Sequence, residues 1–327
     1  MKLMADSGNI EQIRVRVSPP VYNSGIVRRL SARFWLGAMF FCSRRMPGFV
    51  RATRGFFLWW AWNFSKVLQA NTLANARHLL GPDSTINQRR RLGKQVVGSF
   101  YDFISDFGRA TALSREQLHV LVDSIEGIDS YRRLRAERKG AIIATAHMGS
   151  FEVGMTALQE VEKRIHVVFQ RDPNSLFETL RSDFRQRMGI IEAPVDDGIG
   201  VWLRLREALL ADEVVAIQAD RVMPGQVGLK TRFMDGHMLL PEGPAKLAAI
   251  TGAPIVPVFV IRLADGRVRI FIEEAIRVSS ADQVAIVEAI GKLAEVMERY
   301  VRQYPHQWLV VHRAWCEDIS PEGQEVN

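Results

Sequence analysis

The sequence places a histidine and a glutamate at a spacing that suits proton transfer. His147 follows the apolar run Gly-Ala-Ile-Ile-Ala-Thr-Ala at residues 140–146, and Glu152 lies five residues further on. A short apolar run is typical of a strand buried on both faces. We therefore predict His147 at the carboxyl end of a strand, where open α/β sheets bind ligands. Glu152 is predicted in the first turn of the next helix, from which its carboxylate can reach the imidazole.

A histidine held by a carboxylate is a general base with a fixed tautomer. The alternative is that His147 only caps the helix and that Glu152 only complements the helix dipole. Other kinds of site are not supported: the pair is not His-Glu-x-x-His, and Ser150 does not lie in Gly-x-Ser-x-Gly. Residues 198–200 read Gly-Ile-Gly, without the third glycine of a dinucleotide loop, and the two cysteines suit no metal site. We expect neither a metal nor a bound cofactor.

The elements that position this pair alternate along residues 111–327. The pattern predicts strands at 120–125, 140–146, 165–169, 190–191, 214–218, 254–261 and 268–272, and helices at 131–138, 151–161, 176–188, 201–210 and 282–304. Alternation of this kind predicts an αβα sandwich with a mostly parallel central sheet. A turn at 264–266 predicts a hairpin between the last two strands, and hence a mixed sheet.

The region ahead of this domain is basic and aromatic. We predict a loose leader at residues 1–25 and a helical region at 26–110, broken near Pro47. Residues 12–82 contain eleven Arg or Lys and no Asp or Glu, and aromatic side chains concentrate at 34–42 and 56–62. Neither run reaches the roughly 18–20 apolar residues that span a bilayer. Basic residues interleaved with Trp and Phe predict helices docked at the surface of an anionic membrane.

Two alternatives remain for this region: a buried helical hairpin with a basic rim, and a site for single-stranded nucleic acid. The aliphatic and Trp clustering favours lipid, so we expect no nucleic-acid partner. The amino terminus lacks the order of a secretory signal, and the two cysteines are too few for a disulfide framework. We therefore expect a peripheral protein on the cytosolic side of a membrane.

Several blocks occur in an order that resembles a known family. They are residues 141–152, 168–174 (Val-Phe-Gln-Arg-Asp-Pro-Asn), 218–220 (Gln-Ala-Asp) with Gly225, Phe233, 243–258, 305–308 (Pro-His-Gln-Trp) and 312–313 (His-Arg). Together they resemble the lipid A biosynthesis acyltransferases, the lauroyl and myristoyl transferases, within the wider His-x4-Asp/Glu acyltransferases. Gln170 stands where such enzymes usually have arginine, while Val310 and Ala314 replace a Trp and an Arg. Residues 240–244 are instead similar to a Pro-Glu-Gly block by which glycerolipid acyltransferases bind the acceptor's phosphate.

The resemblance implies that an acceptor hydroxyl attacks the thioester of an acyl carrier protein or coenzyme A. His147 is then the base, and Glu152 orients it and stabilises the imidazolium. The residues expected to bind substrate are Arg171, Asn174, Arg185, Asp220, Arg221, Arg232, Glu242 and Gly243.

The acceptor stays open among a lipid A precursor or other glycolipid, a mannosylated phospholipid, an amino-acid lipid, a lysophospholipid and a polyene. A hypothesis of another class is a non-catalytic membrane-binding protein of the same fold. The expected location is the cytoplasmic face of the bacterial inner membrane.

Overall fold

The computed structural model describes residues 14–17, 26–172, 174–223, 225–319 and 324–326 of the 327-residue chain. Its centre is a seven-stranded sheet in the order β2-β10-β9-β3-β6-β4-β5. The strands are β2 (Val122–Glu126), β3 (Ala141–Thr145), β4 (Ile165–Phe169), β5 (Ile191–Pro194), β6 (Val214–Gln218), β9 (Ile255–Arg262) and β10 (Val268–Ile272). Strands β9, β3, β6, β4 and β5 run parallel to one another, whereas β10 is antiparallel to β9. The predicted hairpin and mixed sheet are confirmed.

Helices cover both faces of this sheet. They are α5 (Arg115–His119), α6 (Ile128–Arg135), α7 (Phe151–Leu158), α8 (Ser175–Arg187), α9 (Ile199–Leu210), α10 (Gly243–Thr251) and α11 (Gln283–Gln303). The alternation of β3 decides which layer each side chain joins. Ile142 and Ala144 pack in the core beneath α9, α10 and α11, while Ile143 packs with Tyr131 of α6 on the other face. The predicted αβα sandwich is confirmed.

Four helices precede the sheet: α1 (Ile26–Arg45), α2 (Pro47–Phe64), α3 (Lys66–Leu80) and α4 (Ile86–Ala110). Pro47 stands in the first turn of α2, where its missing N–H costs nothing, so the predicted break is confirmed. A second break, at Ser65, was not anticipated; its side chain caps α3 by accepting from the Leu68 N–H. Among the described residues, no helix is both long enough and apolar enough to cross a membrane.

A second, antiparallel sheet has the order β11-β1-β7-β8. It comprises β1 (Arg14–Val17), β7 (Val227–Phe233), β8 (Gly236–Pro241) and β11 (Gln324–Val326). The prediction of a loose leader is wrong for Arg14–Val17, which pair with β7; the rest of residues 1–25 lies outside the described residues. Local pattern could not reveal this strand, because its partner is more than 200 residues away in the chain.

Candidate active site

His147 and Asp220 meet where two parallel strands end side by side. Strand β3 pairs with β6 in a register that places Thr145 opposite Gln218, so the residues that follow each strand emerge together. His147 Nδ1 lies 2.7 Å from Asp220 Oδ1, and the His147 backbone N–H donates to Oδ2 at 3.0 Å. The indole Nε1–H of Trp308 also donates to Oδ2, at 3.0 Å. Asp220 is thus the carboxylate that fixes the imidazole.

The charge states of His147 and Asp220 leave the other ring nitrogen of His147, Nε2, free to act as a base. Burial alone would raise the pKa of Asp220, but the charge and hydrogen bonds of His147 outweigh it and hold that pKa well below its ordinary value. An ionised carboxylate only accepts hydrogen bonds, so Nδ1 carries the proton and Nε2 keeps its lone pair. Burial lowers the pKa of His147 against the opposing pull of Asp220. The imidazole is therefore neutral at neutral pH, as a general base must be.

Glu152 has a different partner from the one predicted. It lies in the first turn of α7 and is only 3% exposed, and its Oε1 accepts from Arg181 Nε at 2.8 Å and Nη2 at 2.6 Å. The prediction that Glu152 orients His147 is wrong, because the hydrogen bond on Nδ1 is made with Asp220. A residue five positions away competes here with one 73 positions away, and sheet register favours the distant one.

A broad cleft opens beside His147. Its volume is about 540 Å³, within the range of small-molecule sites. The walls come from α9, α10 and the start of β7, and they include Trp202, Leu203, Arg206, Lys246 and Leu247. The cleft therefore combines apolar surface with basic side chains, as binding of an amphipathic anion requires.

An apolar pocket lies on the α6–α7 face of the sheet, next to the cleft. Its lining is mainly hydrocarbon and includes Ile128, Ile143, Met155 and Ala216. Pocket and cleft share five lining residues, which are Val168, Phe169, Arg181, Ile217 and Gln218. Arg181 thus stands at the junction of the two cavities, held there by Glu152.

Three other residues expected to bind substrate line the cleft: Arg221, Glu242 and Gly243. Glu242 is buried, and its Oε1 accepts from Arg14 Nε at 2.9 Å while its Oε2 lies 2.7 Å from Lys246 Nζ. These cations lower the pKa of Glu242 despite its burial, so it is an anion that holds Lys246 at the cleft. Its observed role is to position a cation.

Five expected residues line neither cavity: Asp220, which holds His147 instead of lining a cavity, and four others. Arg171 is exposed and pairs with Asp197 at 2.9 Å, and Arg232 is exposed on β7. Asn174 caps α8, because its side chain accepts from two backbone N–H groups of the first turn. Arg185 is 1% exposed, stacks on Phe169 at 3.9 Å and pairs with Glu192 at 2.7 Å. Arg171, Asn174 and Arg185 thus serve surface pairing, helix capping and packing.

Sequence reasoning missed the residues that complete the site. Arg181 carried no signal, because an arginine on a helix is most often a surface residue. Trp308 lay within the block at 305–308 but had no assigned role, and Arg206 and Lys246 gain theirs only where α9 and α10 face each other across the cleft. All four depend on tertiary placement.

Comparisons with known proteins point to one family. The sequence profile described as bacterial lipid A biosynthesis acyltransferase matches residues 26–317. A phosphatidylinositol mannoside acyltransferase of Mycolicibacterium smegmatis is 28% identical over 229 residues, which cover 69% of this chain and 73% of that protein. A phosphatidylinositol mannoside acyltransferase of Mycobacterium tuberculosis is 29% identical over 199 residues, which cover 60% of this chain and 61% of that protein. The matched span includes His147, Asp220 and both cavities.

Proposed function

The chain is an acyltransferase of the bacterial lipid A biosynthesis acyltransferase family, and we propose that it moves a fatty acyl chain from a thioester to a hydroxyl of a glycolipid. The observation that carries this proposal is the junction of an apolar pocket with the cleft beside His147, whose walls combine apolar and basic side chains. One cavity has the apolar lining that an acyl chain requires, the other combines apolar and basic walls that suit an amphipathic acceptor, and the base His147 lines the second.

His147 acts as the general base in this proposal. Nε2 takes the proton of the acceptor hydroxyl while that oxygen bonds to the thioester carbonyl carbon. The tetrahedral oxyanion then collapses, the C–S bond breaks, and the departing thiolate receives the proton from His147. Asp220 holds the ring and stabilises the imidazolium that forms between the two steps. Positioned proton transfer of this kind contributes roughly 10²–10⁴ in rate.

Arg181 is the proposed donor to the oxyanion. It lines both cavities, so the thioester carbonyl of a chain seated in the apolar pocket would lie beside its guanidinium. Glu152 fixes the side chain through Nε and Nη2. A donor fixed before the reaction stabilises developing charge without reorganising. This gives the Glu of the His-x4-Glu motif a role in positioning Arg181.

The acceptor is proposed to enter through the basic cleft. Arg206, Arg221 and Lys246 supply positive charge there, which suits a phosphorylated headgroup. The matched family is named for lipid A, and the relatives are named for phosphatidylinositol mannoside, so both classes of glycolipid are acceptors to test. The donor is an acyl thioester of acyl carrier protein or of coenzyme A.

Membrane association is proposed to occur through α1 and α2. Eight aromatic side chains of these helices are exposed, and we call them the aromatic surface: Phe34, Trp35, Phe41, Phe49, Phe56, Trp59, Trp60 and Phe64. Exposed Arg44, Arg45 and Arg51 lie among them in the sequence. Aromatic side chains enter the headgroup region, while arginines attract anionic lipid at about 1 kcal/mol each. We propose a peripheral position on the cytoplasmic face of the bacterial inner membrane.

The test is acyl transfer by the purified chain. Radiolabelled palmitoyl-coenzyme A and palmitoyl-acyl carrier protein are each incubated with a phosphatidylinositol mannoside or a lipid A precursor in anionic vesicles. We expect one donor and one acceptor class to give an ester that mass spectrometry locates on a sugar hydroxyl. Failure of every combination, with unchanged lipids in cells lacking the gene, would indicate a non-catalytic lipid-binding protein.

A further inference from the structure

The indole of Trp308 is hydrogen-bonded to the carboxylate that holds His147. We propose that Trp308 is a positioning residue for acyl transfer, which keeps the Asp220 carboxylate aimed at the imidazole. The inference rests on the proposed function, because it acts through His147. Trp308 lies outside the lining of both cavities, so its indole acts on the reaction through Asp220 and not by touching substrate.

The two oxygens of Asp220 have separate tasks. Oδ2 accepts from the Trp308 Nε1–H and from the His147 backbone N–H, both at 3.0 Å, and Oδ1 is thereby directed at Nδ1 at 2.7 Å. The backbone donor cannot fix the carboxylate plane by itself, since rotation about the Cβ–Cγ bond is broad in aspartate. Trp308 supplies the second donor to Oδ2 and restricts rotation of the carboxylate.

Trp308 is itself fixed relative to the histidine. Leu309 N–H donates to the His147 carbonyl at 2.7 Å, and Gly149 N–H donates to the Gln307 carbonyl at 3.0 Å. The Gln307 side chain is bonded to both backbone groups of Arg262 on β9, at 2.8 and 2.9 Å. Residues 307–309 therefore run against the turn that carries His147. These backbone hydrogen bonds fix the distance between the two segments that carry the indole and the imidazole.

The hydrogen bond also tunes the base. An N–H donor draws charge from the carboxylate, so removing it makes Asp220 a stronger partner for the imidazolium. The imidazolium is then stabilised relative to the neutral ring, and the pKa of His147 rises. Loss of the donor should therefore move the acid limb of the rate profile to higher pH, because the base stays protonated there, while the lost positioning of the carboxylate slows the reaction.

The same aromatic cluster contains a matched control. Trp315 is 0% exposed, Trp308 is 1% exposed, and their rings pack edge to face at 5.7 Å. Trp315 also donates through its indole N–H, at 3.0 Å, but its acceptor is the carbonyl of Phe233. Replacing either indole by phenyl removes one buried hydrogen bond and similar volume. Only Trp308→Phe removes a donor from Asp220.

The experiment measures kcat, KM for both substrates, the pH profile and thermal unfolding for Trp308→Phe and Trp315→Phe. Both variants should unfold at lower temperature. Trp308→Phe should lower kcat on the order of ten-fold, as expected for loss of a hydrogen bond to a charged group, with KM unchanged and the acid limb at higher pH. Trp315→Phe should keep the kcat and pH profile of the wild type. Equal profiles for the two variants would overturn the inference.

A shape-preserving replacement covers the case in which Trp308→Phe does not fold. Benzothienylalanine at position 308 puts sulfur in place of the N–H and keeps the bicyclic shape. It should reproduce the lower kcat and the shifted acid limb, whereas wild-type kinetics would overturn the inference. His147→Ala separates the two proposals. If it is inactive while the analogue is unaffected, only the role of Trp308 fails; if it is fully active, the proposed function fails too.

Discussion

The turn that carries His147 and the front helices α1 and α2 depart from ordinary folding rules in opposite directions. Beside that turn, the carboxylate of Asp220 is 0% exposed and is stabilised by three N–H donors. On the front helices, Phe34 is 69% exposed and Trp59 is 58% exposed. A buried charge is tolerated only where donors meet it, and an apolar patch is tolerated only where something covers it. A buried charge and an exposed apolar patch therefore each indicate a functional region.

Removing the buried charge should have the largest effect. Asp220→Asn removes the charge that stabilises the imidazolium, so kcat should fall by about 10²–10⁴ in the thioester assay. Asp102→Asn is the control, because it breaks an ion pair with Arg54 that lies outside both cavities. An Asp220→Asn variant whose kcat stays within two-fold of wild type would show that the buried carboxylate has a structural role only.

Arg181→Gln should come next, because it removes the proposed donor to the oxyanion. Loss of one such donor costs about 10²–10³ in kcat. Arg181→Lys keeps the charge and should retain more activity, and Arg187→Gln on the same helix is the exposed control. Thermal unfolding monitors the cost of leaving Glu152 unpaired. If kcat changes no more than it does for Arg187→Gln, Arg181 is not the donor.

Narrowing the apolar pocket should change the choice of acyl chain. Ala216 lines it from β6, so Ala216→Leu removes room for about three methylenes, worth roughly 2 kcal/mol. Competition between palmitoyl and shorter thioesters should then shift roughly thirty-fold towards the shorter chain. The rate with a butyryl donor should stay at the wild-type value. An equal loss for all chain lengths would mean that the chain binds elsewhere.

Substitutions on the aromatic surface should have the smallest effect, and they should change membrane binding but not catalysis. Trp59→Ser with Trp60→Ser should weaken flotation with anionic vesicles by roughly ten-fold, since both side chains are exposed on α2. Val284→Ser removes an exposed side chain of α11 and should leave flotation unchanged. Transfer to a detergent-dispersed acceptor should match wild type in both the double variant and Val284→Ser. Unchanged flotation of the double variant would mean that the aromatic surface does not bind the membrane.

Local pattern predicted the strands far better than it predicted the site. Strands at 165–169, 214–218 and 268–272 match the observed bounds, because five-residue apolar runs rich in Val and Ile are too short for helices and favour strands. The same rule placed His147 at the end of β3. It could not find Asp220 as the partner, because that contact depends on β3 lying beside β6.

The errors share that physical origin. Glu152 is near His147 in the chain, yet the first turn of α7 points its carboxylate at Arg181 instead. Arg185 carries a charge that favours solvent, yet Glu192 and the Phe169 ring offset its burial. Strand β1 forms between β11 and β7, each more than 200 residues away in the chain. Each outcome depends on which partner the fold places beside the residue, and a single sequence does not reveal that.

The measurement that bears most directly on the proposed base is the pH dependence of kcat/KM for acyl transfer by wild type and by His147→Ala. Wild type should show an acid limb with its midpoint below the ordinary histidine value of about 6.5, because burial lowers the pKa of His147 and the base is active once deprotonated. His147→Ala should stay at the uncatalysed background at every pH. A His147→Ala enzyme that keeps wild-type activity and the same limb would contradict the account.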